Sequence, residues 1–239
     1  MDERFMASVM SAYDAGGGRV EVLPALLARA CVEVLPVTGA GVSFTDELRI
    51  PLGASDDMAV RAERLQTTLG EGPCLTATAT SSALRATGTL MSDRWPIFYQ
   101  ELLRQTPYRT IASIPLHSKQ RERFGALDLY SDDEDGLSDL VLAQVTTHVA
   151  DPIAAILFDS PTTSYQQHQD MPSWLASDAV TDRMTVWIAI GMLMEEGVMT
   201  NGAALATLRA YAFTHDSTLD ELAARLVDQD LAVLVVLGP

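Results

Sequence analysis

The sequence contains little cysteine, no long apolar run and few basic side chains. Only two cysteines occur in 239 residues, Cys31 and Cys74, so no disulfide framework is expected and a reducing, cytoplasmic environment fits best. No apolar run approaches the ~20 residues that span a bilayer. The first residues, MDERFMASVM, carry acids and lack the apolar core of a secretory signal. We therefore expect no membrane association.

Acidic side chains outnumber basic ones two to one. The chain has 32 acidic and 16 basic side chains and a net charge of −16. This balance repels nucleic acid and anionic lipid at long range. A nucleic-acid partner would therefore need a local basic patch, or screening of the remaining charge by salt.

One polar segment divides the chain into two parts. Residues 160–173, SPTTSYQQHQDMPS, contain two prolines and no apolar periodicity, which is typical of a linker. We predict an N-terminal helix within residues 1–19, a domain over residues 20–159 and a helical domain over residues 174–239.

The domain before the linker begins with strand and helix patterns. AGVSFTD and LRIPLGAS predict two strands with a charged turn between them. DDMAVRAERLQTTL predicts a helix, with Asp56 or Asp57 as its N-cap. Gly70 suits the left-handed position at the end of that helix, and Pro73 suits the first turn of the next one.

The second half of this domain alternates strands and helices. SALRATG predicts a short strand, and DRWPIFYQELLRQ predicts one helix that starts at Asp93 and Pro96. YRTIASIPLHS and RFGALDLYS predict paired strands around the turn KQRE. The acidic run SDDEDG is predicted to cap a long helix bent at Pro152, and not to bind metal. The order predicts an α+β fold: an antiparallel sheet of about five or six strands with helices packed on it.

Five motifs in this domain carry a family resemblance. GAGVSFTD, LGEGPC, DRWPIF, IASIPLHS and FGALDLYS, in that order, resemble a GAF domain of the kind found in actinobacterial regulators. The resemblance covers roughly residues 20–158. It implies a sensory module that holds a small ligand between sheet and helices, or a dimerisation unit.

The loop LGEGPC leaves several roles open for Cys74. A catalytic thiol would need a base such as His117, which follows a predicted strand where a GAF pocket would place it. A helix that starts at Pro73 would favour a thiolate through its N-terminal dipole, whereas a buried free cysteine packs as a small apolar residue. The loop lacks the Lys and Ser/Thr of a P-loop. We rank a structural role first, ligand or redox sensing by Cys74 and His117 second, and catalysis last. No enzymatic activity, catalytic residue, cofactor or metal site is expected.

Three helix patterns follow the linker. VTDRMTVWIAIGMLMEEG, NGAALATLRAYAF and LDELAARLV are separated by short turns, with Thr200 and the pair Ser217 and Thr218 as N-caps. Helices of this length joined by tight turns predict a small three-helix bundle.

The small residues of these helices resemble the ANTAR domain, the RNA-binding output module of bacterial transcription antiterminators. The pattern consists of Ala189, Gly191, Leu193, Met194, Ala204, Leu208, Arg209, Ala212 and Ala223. The resemblance implies that the protein is a homodimer that binds paired RNA hairpins. It also implies that the protein regulates transcription antitermination, with the GAF domain as input and the ANTAR domain as output. The RNA-binding residues it implies are Arg183, Ala189, Gly191, Ala204, Arg209 and Ala223.

Two departures from the family pattern support an alternative. Ile190 stands where a basic residue is usual, and Gln229 and Asp230 replace a basic pair. Residues 171–239 hold nine acids against three bases, a net charge of −6, which is a poor phosphate surface. The alternative is a ligand-sensing or protein-interaction regulator that has lost RNA binding. Helix packing at Gly191 and a surface ion pair at Arg209 remain equal alternatives to RNA contact.

Overall fold

The computed structural model describes residues 2–15, 18–45, 48–117, 124–159 and 178–238, and within these ranges it describes only the backbone of residues 2, 20, 158, 159 and 178–183. The predicted linker, residues 160–173, and the predicted turn KQRE lie outside the described residues.

The N-terminal domain is built on one antiparallel sheet of five strands. The strand order is β2-β1-β5-β4-β3, and every neighbouring pair is antiparallel. This confirms the predicted α+β class and antiparallel sheet. The strands are β1 (Gly39–Thr45), β2 (Arg49–Ala54), β3 (Leu84–Ala86), β4 (Thr110–Leu116) and β5 (Gly125–Ser131).

Helices cover both faces of this sheet, so β4 and β5 are buried at every position. Side chains alternate between the faces: Leu127 and Leu129 join an apolar core with α1 and α2, and Ile111 and Tyr130 join another with α3, α5 and α6. The helices are α1 (Asp2–Ala15), α2 (Leu23–Val34), α3 (Asp57–Leu69), α4 (Pro73–Thr80), α5 (Gly88–Arg94) and α6 (Pro96–Gln105).

The ends of α3 follow the sequence prediction. Asp56 is the N-cap, and its carboxylate accepts hydrogen bonds from the main-chain N–H of Met58 and Ala59, at 2.8 and 3.0 Å. Gly70 ends the helix in the left-handed conformation, with φ of +70°. Pro73 occupies the first turn of α4.

The predicted single helix from Asp93 to Gln105 is wrong, because it is interrupted at Trp95. Asp93 lies inside α5, and α6 begins at Pro96. Proline disfavours a helical conformation in the preceding residue, and Trp95 has φ of −140° and ψ of 64°. Pro96 therefore ends one helix and begins another.

The helix predicted after the acidic run begins later than expected, at Leu142 instead of Leu137. Leu137 and Leu140 are buried in the core beside α1 and α2, and residues 136–141 form turns and coil before the helix begins. Pro152 lacks an N–H, and π-helical turns on both sides accommodate it. This stretch consists of α7 (Leu142–Val145), a π-helical turn (Thr146–Ala150), α8 (Asp151–Ala154) and a second π-helical turn (Ala155–Asp159).

The described C-terminal residues form helices around a shared apolar core. The three predicted helices are present, and a short fourth follows them. Thr200 caps the second helix, and Thr218 forms a capping box with Glu221 on the third. The identity of this bundle as an ANTAR domain stays a prediction. These C-terminal helices are α9 (Asp178–Gly197), α10 (Asn201–Thr214), α11 (Leu219–Val227) and α12 (Val233–Leu237).

The C-terminal helices pack against the N-terminal domain along α3 and β2. Leu48, just before β2, is buried in the apolar core of the C-terminal helices. The main-chain N–H of Leu219 donates to Thr68 Oγ1 at 3.2 Å. Arg104 and Asp216 form an exposed ion pair at 2.7 Å. The two parts are therefore in direct contact in this structure.

Candidate functional site

A cluster of charged side chains lies inside the N-terminal domain, between the sheet and helices α3 and α4. Arg49 begins β2, Glu63 lies on α3 and Asp128 is in the middle of β5; none of the three is more than 2% exposed. Burial of charge is costly unless each group is paired. The partners of these groups therefore decide whether the cluster is stable.

Every nitrogen of the Arg49 guanidinium has a partner. Nη2 donates to the Glu63 carboxylate and, at 3.1 Å, to Asp128 Oδ2. Nη1 donates to the carbonyl of Glu63 at 2.8 Å and to Thr67 Oγ1 at 3.2 Å. Nε donates to Cys74 Sγ at 2.7 Å. One arginine thus joins β2, α3, α4 and β5.

Neutral side chains satisfy the remaining carboxylate oxygens. Gln66 Nε2 and the Ser113 hydroxyl donate to the two oxygens of Asp128, the first at 2.8 Å. The Tyr130 hydroxyl donates to Glu63 Oε1 at 2.5 Å. The carboxylate oxygens of the cluster are therefore hydrogen-bonded.

Gly41 on β1 makes room for the Glu63 carboxylate. A Cβ on Gly41 would overlap the carboxylate of Glu63. The glycine is therefore required by close approach, because its backbone does not have a positive φ.

Burial changes the protonation of the cluster. It raises the pKa of Glu63 to about 7, although Arg49 acts in the opposite direction. Burial also raises the pKa of the Cys74 thiol, again against Arg49, and raises the pKa of Tyr130.

The pKa of Cys74 is raised, whereas the alternative of a thiolate favoured by the N-terminus of α4 would need it lowered. Loss of hydration outweighs the effect of the neighbouring cation. Cys31 is likewise buried in an apolar core, and burial raises its pKa. Both thiols are therefore protonated near neutral pH.

Glu71, Gly72 and Cys74 of the LGEGPC loop each have a structural role. The Glu71 carboxylate accepts a hydrogen bond at 3.1 Å from the main-chain N–H of Phe98, in the first turn of α6. Gly72 has φ of +138°, which favours glycine. The main-chain N–H of Cys74 donates to Gln66 Oε1 at 2.9 Å. The loop thus connects α3, α4 and α6.

Cys74 and His117 are not paired as nucleophile and base. In the described part of the chain, the hydrogen-bond partners of Cys74 are Arg49, Gln66 and Thr78. His117 follows β4 and is half-buried. The geometry thus lacks the contact with a base that nucleophilic catalysis requires.

A cleft of about 650 Å³ lies between α3, α6 and the turn that joins α10 to α11. The charges of its lining balance, with three arginines and three acids. The charge cluster, in contrast, lies between the sheet and helices α3 and α4. The charged residues of the cleft are Arg61, Arg64, Arg104, Glu101, Asp216 and Glu221.

Three of the RNA-binding candidates are interior residues. Ala189, Ala204 and Ala223 have no exposed surface and lie in the core of the C-terminal helices. Small side chains there allow the helices to approach closely. Ile190 is buried in the same core. The structure therefore assigns these alanines to packing and not to RNA contact.

Gly191 differs, because it is exposed in the middle of α9. Apart from its two chain neighbours and the nearby backbone of its own helix, no described atom lies within 4 Å of a Cβ built on it. Close packing of helices within the described chain therefore does not explain this glycine. The side chain of Arg183 lies outside the described residues.

Arg209 lies on α10 and faces the N-terminal domain. Its guanidinium contacts Gly70, at the end of α3. Among the described residues Arg209 forms no ion pair, so the alternative of a surface ion pair is not supported there. Its Nε is buried without a hydrogen-bond partner.

The sequence prediction missed the charge cluster, although one signal could have indicated it. Asp128 stands between Leu127 and Leu129 in a central strand, and Ser113 is directly opposite on β4. A carboxylate in a strand covered on both faces must find a buried partner. The identity of that partner, Arg49, is not visible in the local pattern.

Neither a protein-family model nor a curated protein matches the chain. Among the residues described, no helix has the length and apolarity needed to cross a membrane. In the same ranges, no group of three or more His, Cys, Asp or Glu side chains is placed to hold a metal ion.

Among solved structures, the chain is similar to a GAF domain region from Geobacter sulfurreducens PCA. The sequence identity is 18%, the TM-score is 0.43, and the match covers 56% of this chain and 90% of that chain.

Proposed function

We propose that the chain is a cytoplasmic, signal-responsive RNA-binding regulator of transcription antitermination. Its N-terminal domain is the sensory input, its C-terminal helices are the output, and it acts as a homodimer without enzymatic activity. The proposal is supported by the motifs that resemble GAF and ANTAR domains. The absence of a catalytic step is supported by the burial of Cys74 beside Arg49.

Gly191 is the observation that carries the RNA-binding part of the proposal. A glycine inside a helix costs about 1 kcal/mol relative to alanine. A Cβ built on Gly191 would contact nothing described beyond its chain neighbours and its own helix backbone. Packing within the described chain therefore does not offset the lower helix propensity of glycine. A glycine on an exposed helix face leaves space for a partner to approach the backbone, as an RNA strand would.

Titration of the full-length protein into a tandem-hairpin RNA, beside a scrambled RNA and across a salt series, tests the proposal. We expect preference for the paired hairpins and affinity that falls with salt. The three basic residues of 171–239 limit the slope of log K against log salt to about −3 per protomer. Absence of binding to either RNA at low salt would overturn the proposal. A sedimentation mass equal to the 25.8 kDa of one chain would overturn the homodimer.

A second candidate is a ligand-sensing or protein-interaction regulator without RNA binding. It is favoured by the exposed face of α9, where Met184 and Ile188 are 58% and 52% exposed, and by the net charge of −6 over residues 171–239. Failure to bind RNA, together with binding to a partner protein that Ile188→Glu abolishes, would support this candidate over the first.

A further inference from the structure

The cleft between α3, α6 and the turn that joins α10 to α11 has walls from both parts of the chain. Arg61, Arg64 and Leu69 line it from α3, whereas Phe213 and Asp216 line it from the end of α10 and the turn that follows. Its volume of about 650 Å³ lies within the range of roughly 300–1,000 Å³ that is typical of small-molecule sites. A ligand of that size would contact both parts at once.

The acids of the cleft are already engaged by protein groups. Arg104 donates to both Glu101 and Asp216, at 2.7 Å in each case. The third acid, Glu221, accepts a hydrogen bond at 2.8 Å from the main-chain N–H of Thr218, as part of the capping box of α11. That hydrogen bond is the main cause of a lowered pKa of Glu221. The three carboxylates therefore have partners without a ligand.

The neutral polar side chains of the lining are engaged as well. Gln105 donates to the carboxylate of Glu101 at 2.8 Å. Thr68 Oγ1 accepts from the main-chain N–H of Leu219 at 3.2 Å. The hydroxyl of Ser217 donates to the carbonyl of the next residue at 3.3 Å. Among the polar residues of the cleft, two arginines then remain.

Arg61 and Arg64 are exposed and lie three residues apart on α3, so they share one face of the helix. Within the described ranges neither forms an ion pair or a side-chain hydrogen bond. Arg64 lowers the pKa of Glu221 further, but without an ion pair between them. Arginine is suited to carboxylate and phosphate, because its fork of N–H groups donates two parallel hydrogen bonds. The two guanidinium groups are thus free to bind an oxyanion.

Apolar side chains line the cleft beside these arginines. Leu69, at the end of α3, is half-buried. Phe213, near the end of α10, is 43% exposed. Covering such side chains with an apolar group is favourable in proportion to the area removed from water. The cleft therefore combines unpaired cations with apolar surface, which suits a ligand that has an anionic end and an apolar body.

We propose that the cleft binds a small organic oxyanion, a carboxylate or phosphate ester with an apolar body. Arg61 and Arg64 bind the oxyanion, and Leu69 and Phe213 cover the apolar part. Because α3 and Phe213 belong to different parts of the chain, the bound ligand holds the C-terminal helices against the N-terminal domain. This gives the sensory input proposed above a ligand class and rests on that proposal for its signalling role, whereas binding itself requires no RNA.

Fluorescence titration of the full-length protein with anilinonaphthalene sulfonate, an oxyanion on an aromatic body, tests the site. We expect the double variant Arg61→Gln and Arg64→Gln to bind the probe about tenfold more weakly, because hydrogen bonds to a charged group are lost. Phe213→Ala should weaken binding about fivefold, through lost apolar contact. The controls are Arg225→Gln and Leu234→Ala, two exposed side chains outside the cleft, and they should change the affinity little. Equal affinity in the wild type and the double variant would overturn the site.

Competition against the probe separates the oxyanion from the apolar body. Phenyl phosphate and benzoate have both, inorganic phosphate lacks the ring, and benzyl alcohol lacks the charge. We expect phenyl phosphate or benzoate to displace the probe at concentrations at which the other two do not, and the stronger competitor identifies phosphate or carboxylate as the recognised group. Displacement by benzyl alcohol as effective as that by benzoate would overturn the role of the arginines.

Amide exchange with and without the stronger competitor tests the link between the two parts. We expect slower exchange in α10 and α11 when the ligand is bound, and no such slowing in the double arginine variant. Unchanged exchange at saturation would overturn the claim that the ligand holds the C-terminal helices. None of these measurements contains RNA, so a failure of RNA binding would overturn the proposed function and leave the ligand site standing.

Discussion

The Nε of Arg49 donates a hydrogen bond to the Sγ of Cys74 across 2.7 Å, and both side chains are at most 2% exposed. The sulfur acts here as an acceptor that completes the hydrogen bonding of a buried cation. Because the same arginine also binds Glu63 and Asp128, the thiol belongs to a structural network. This arrangement explains why a cysteine at the start of a helix is not activated.

Both cysteines should be unreactive in the folded protein. Only the thiolate reacts readily, and burial raises the pKa of Cys31 and of Cys74. Ellman's reagent at about pH 8 should label neither thiol in the native state and two per chain in denaturant. Rapid native labelling that disappears in Cys74→Ser would contradict this and support a sensing thiol.

Stability should fall as pH rises between about 4.5 and about 7. The pKa of Glu63 rises from 4.5 to about 7 on folding, so in this window the folded state binds more protons than the unfolded state. The contribution of protonated Glu63 is complete below about pH 4.5 and is lost above about pH 7. The full change is on the order of 3 kcal/mol.

Glu63→Gln isolates this effect in urea denaturation curves measured across the same pH range. The amide keeps an oxygen to accept from Arg49 and an N–H to donate to Tyr130, but it does not titrate. The difference in free energy of unfolding between wild type and Glu63→Gln should therefore change with pH. The exposed Glu134 provides a control, Glu134→Gln. Parallel pH curves for wild type and Glu63→Gln would rule out the assignment.

Gly191→Ala should stabilise the protein and weaken RNA binding. With no described neighbour within 4 Å of the new methyl group, α9 should gain about 1 kcal/mol, while the methyl group occupies the face proposed for RNA. Gly202 in α10 also has open surroundings, so Gly202→Ala should change RNA affinity little. Denaturation and RNA titration of both variants make the comparison. Equal RNA affinity in the two variants would remove Gly191 from the interface.

Glu71→Ala should destabilise the N-terminal domain by about 1 kcal/mol. The variant removes the carboxylate that accepts from the main-chain N–H of Phe98, leaving a helix N-terminus without its acceptor. Glu71→Gln keeps an acceptor oxygen and should lose less. Thermal unfolding of the two variants distinguishes loss of the cap from loss of charge. An unchanged midpoint in Glu71→Ala would show that solvent replaces the cap fully.

Local chemistry made much of the fold predictable. Asp56, Gly70 and Pro73 determine the ends of α3 and the start of α4 through caps and fixed dihedrals. Gly70 and Pro73 were identified correctly, and Asp56 was one of the two predicted candidates for the N-cap. The break at Trp95 was also encoded locally, because Pro96 restricts the residue before it. The late start of α7 was not predicted, because the buried Leu137 and Leu140 are three residues apart, a spacing that is equally compatible with a helix.

The site residues were less predictable because their contacts are distant in sequence. Arg49 and Asp128 are 79 residues apart, and Leu219 and Thr68 are 151 apart. The hydrophobic periodicity of a sequence does not indicate which distant residues contact each other. The RNA-binding candidates came from the resemblance to a family pattern, which does not separate an exposed position such as Gly191 from an interior one such as Ala189.

Leu48 and Arg49 are consecutive, yet their side chains belong to two different interiors: Leu48 to the core of the C-terminal helices and Arg49 to the charge cluster. Truncation after residue 159 therefore does not divide the chain into independent pieces. A fragment that begins at residue 178 lacks the side chain of Leu48, which is part of its apolar core. In a fragment that ends at residue 159, Leu48 is exposed, because the C-terminal helices that bury it are absent. Complementary fragments of this kind should reassociate when mixed, and dissection of the two parts requires substitution of Leu48 as well as truncation.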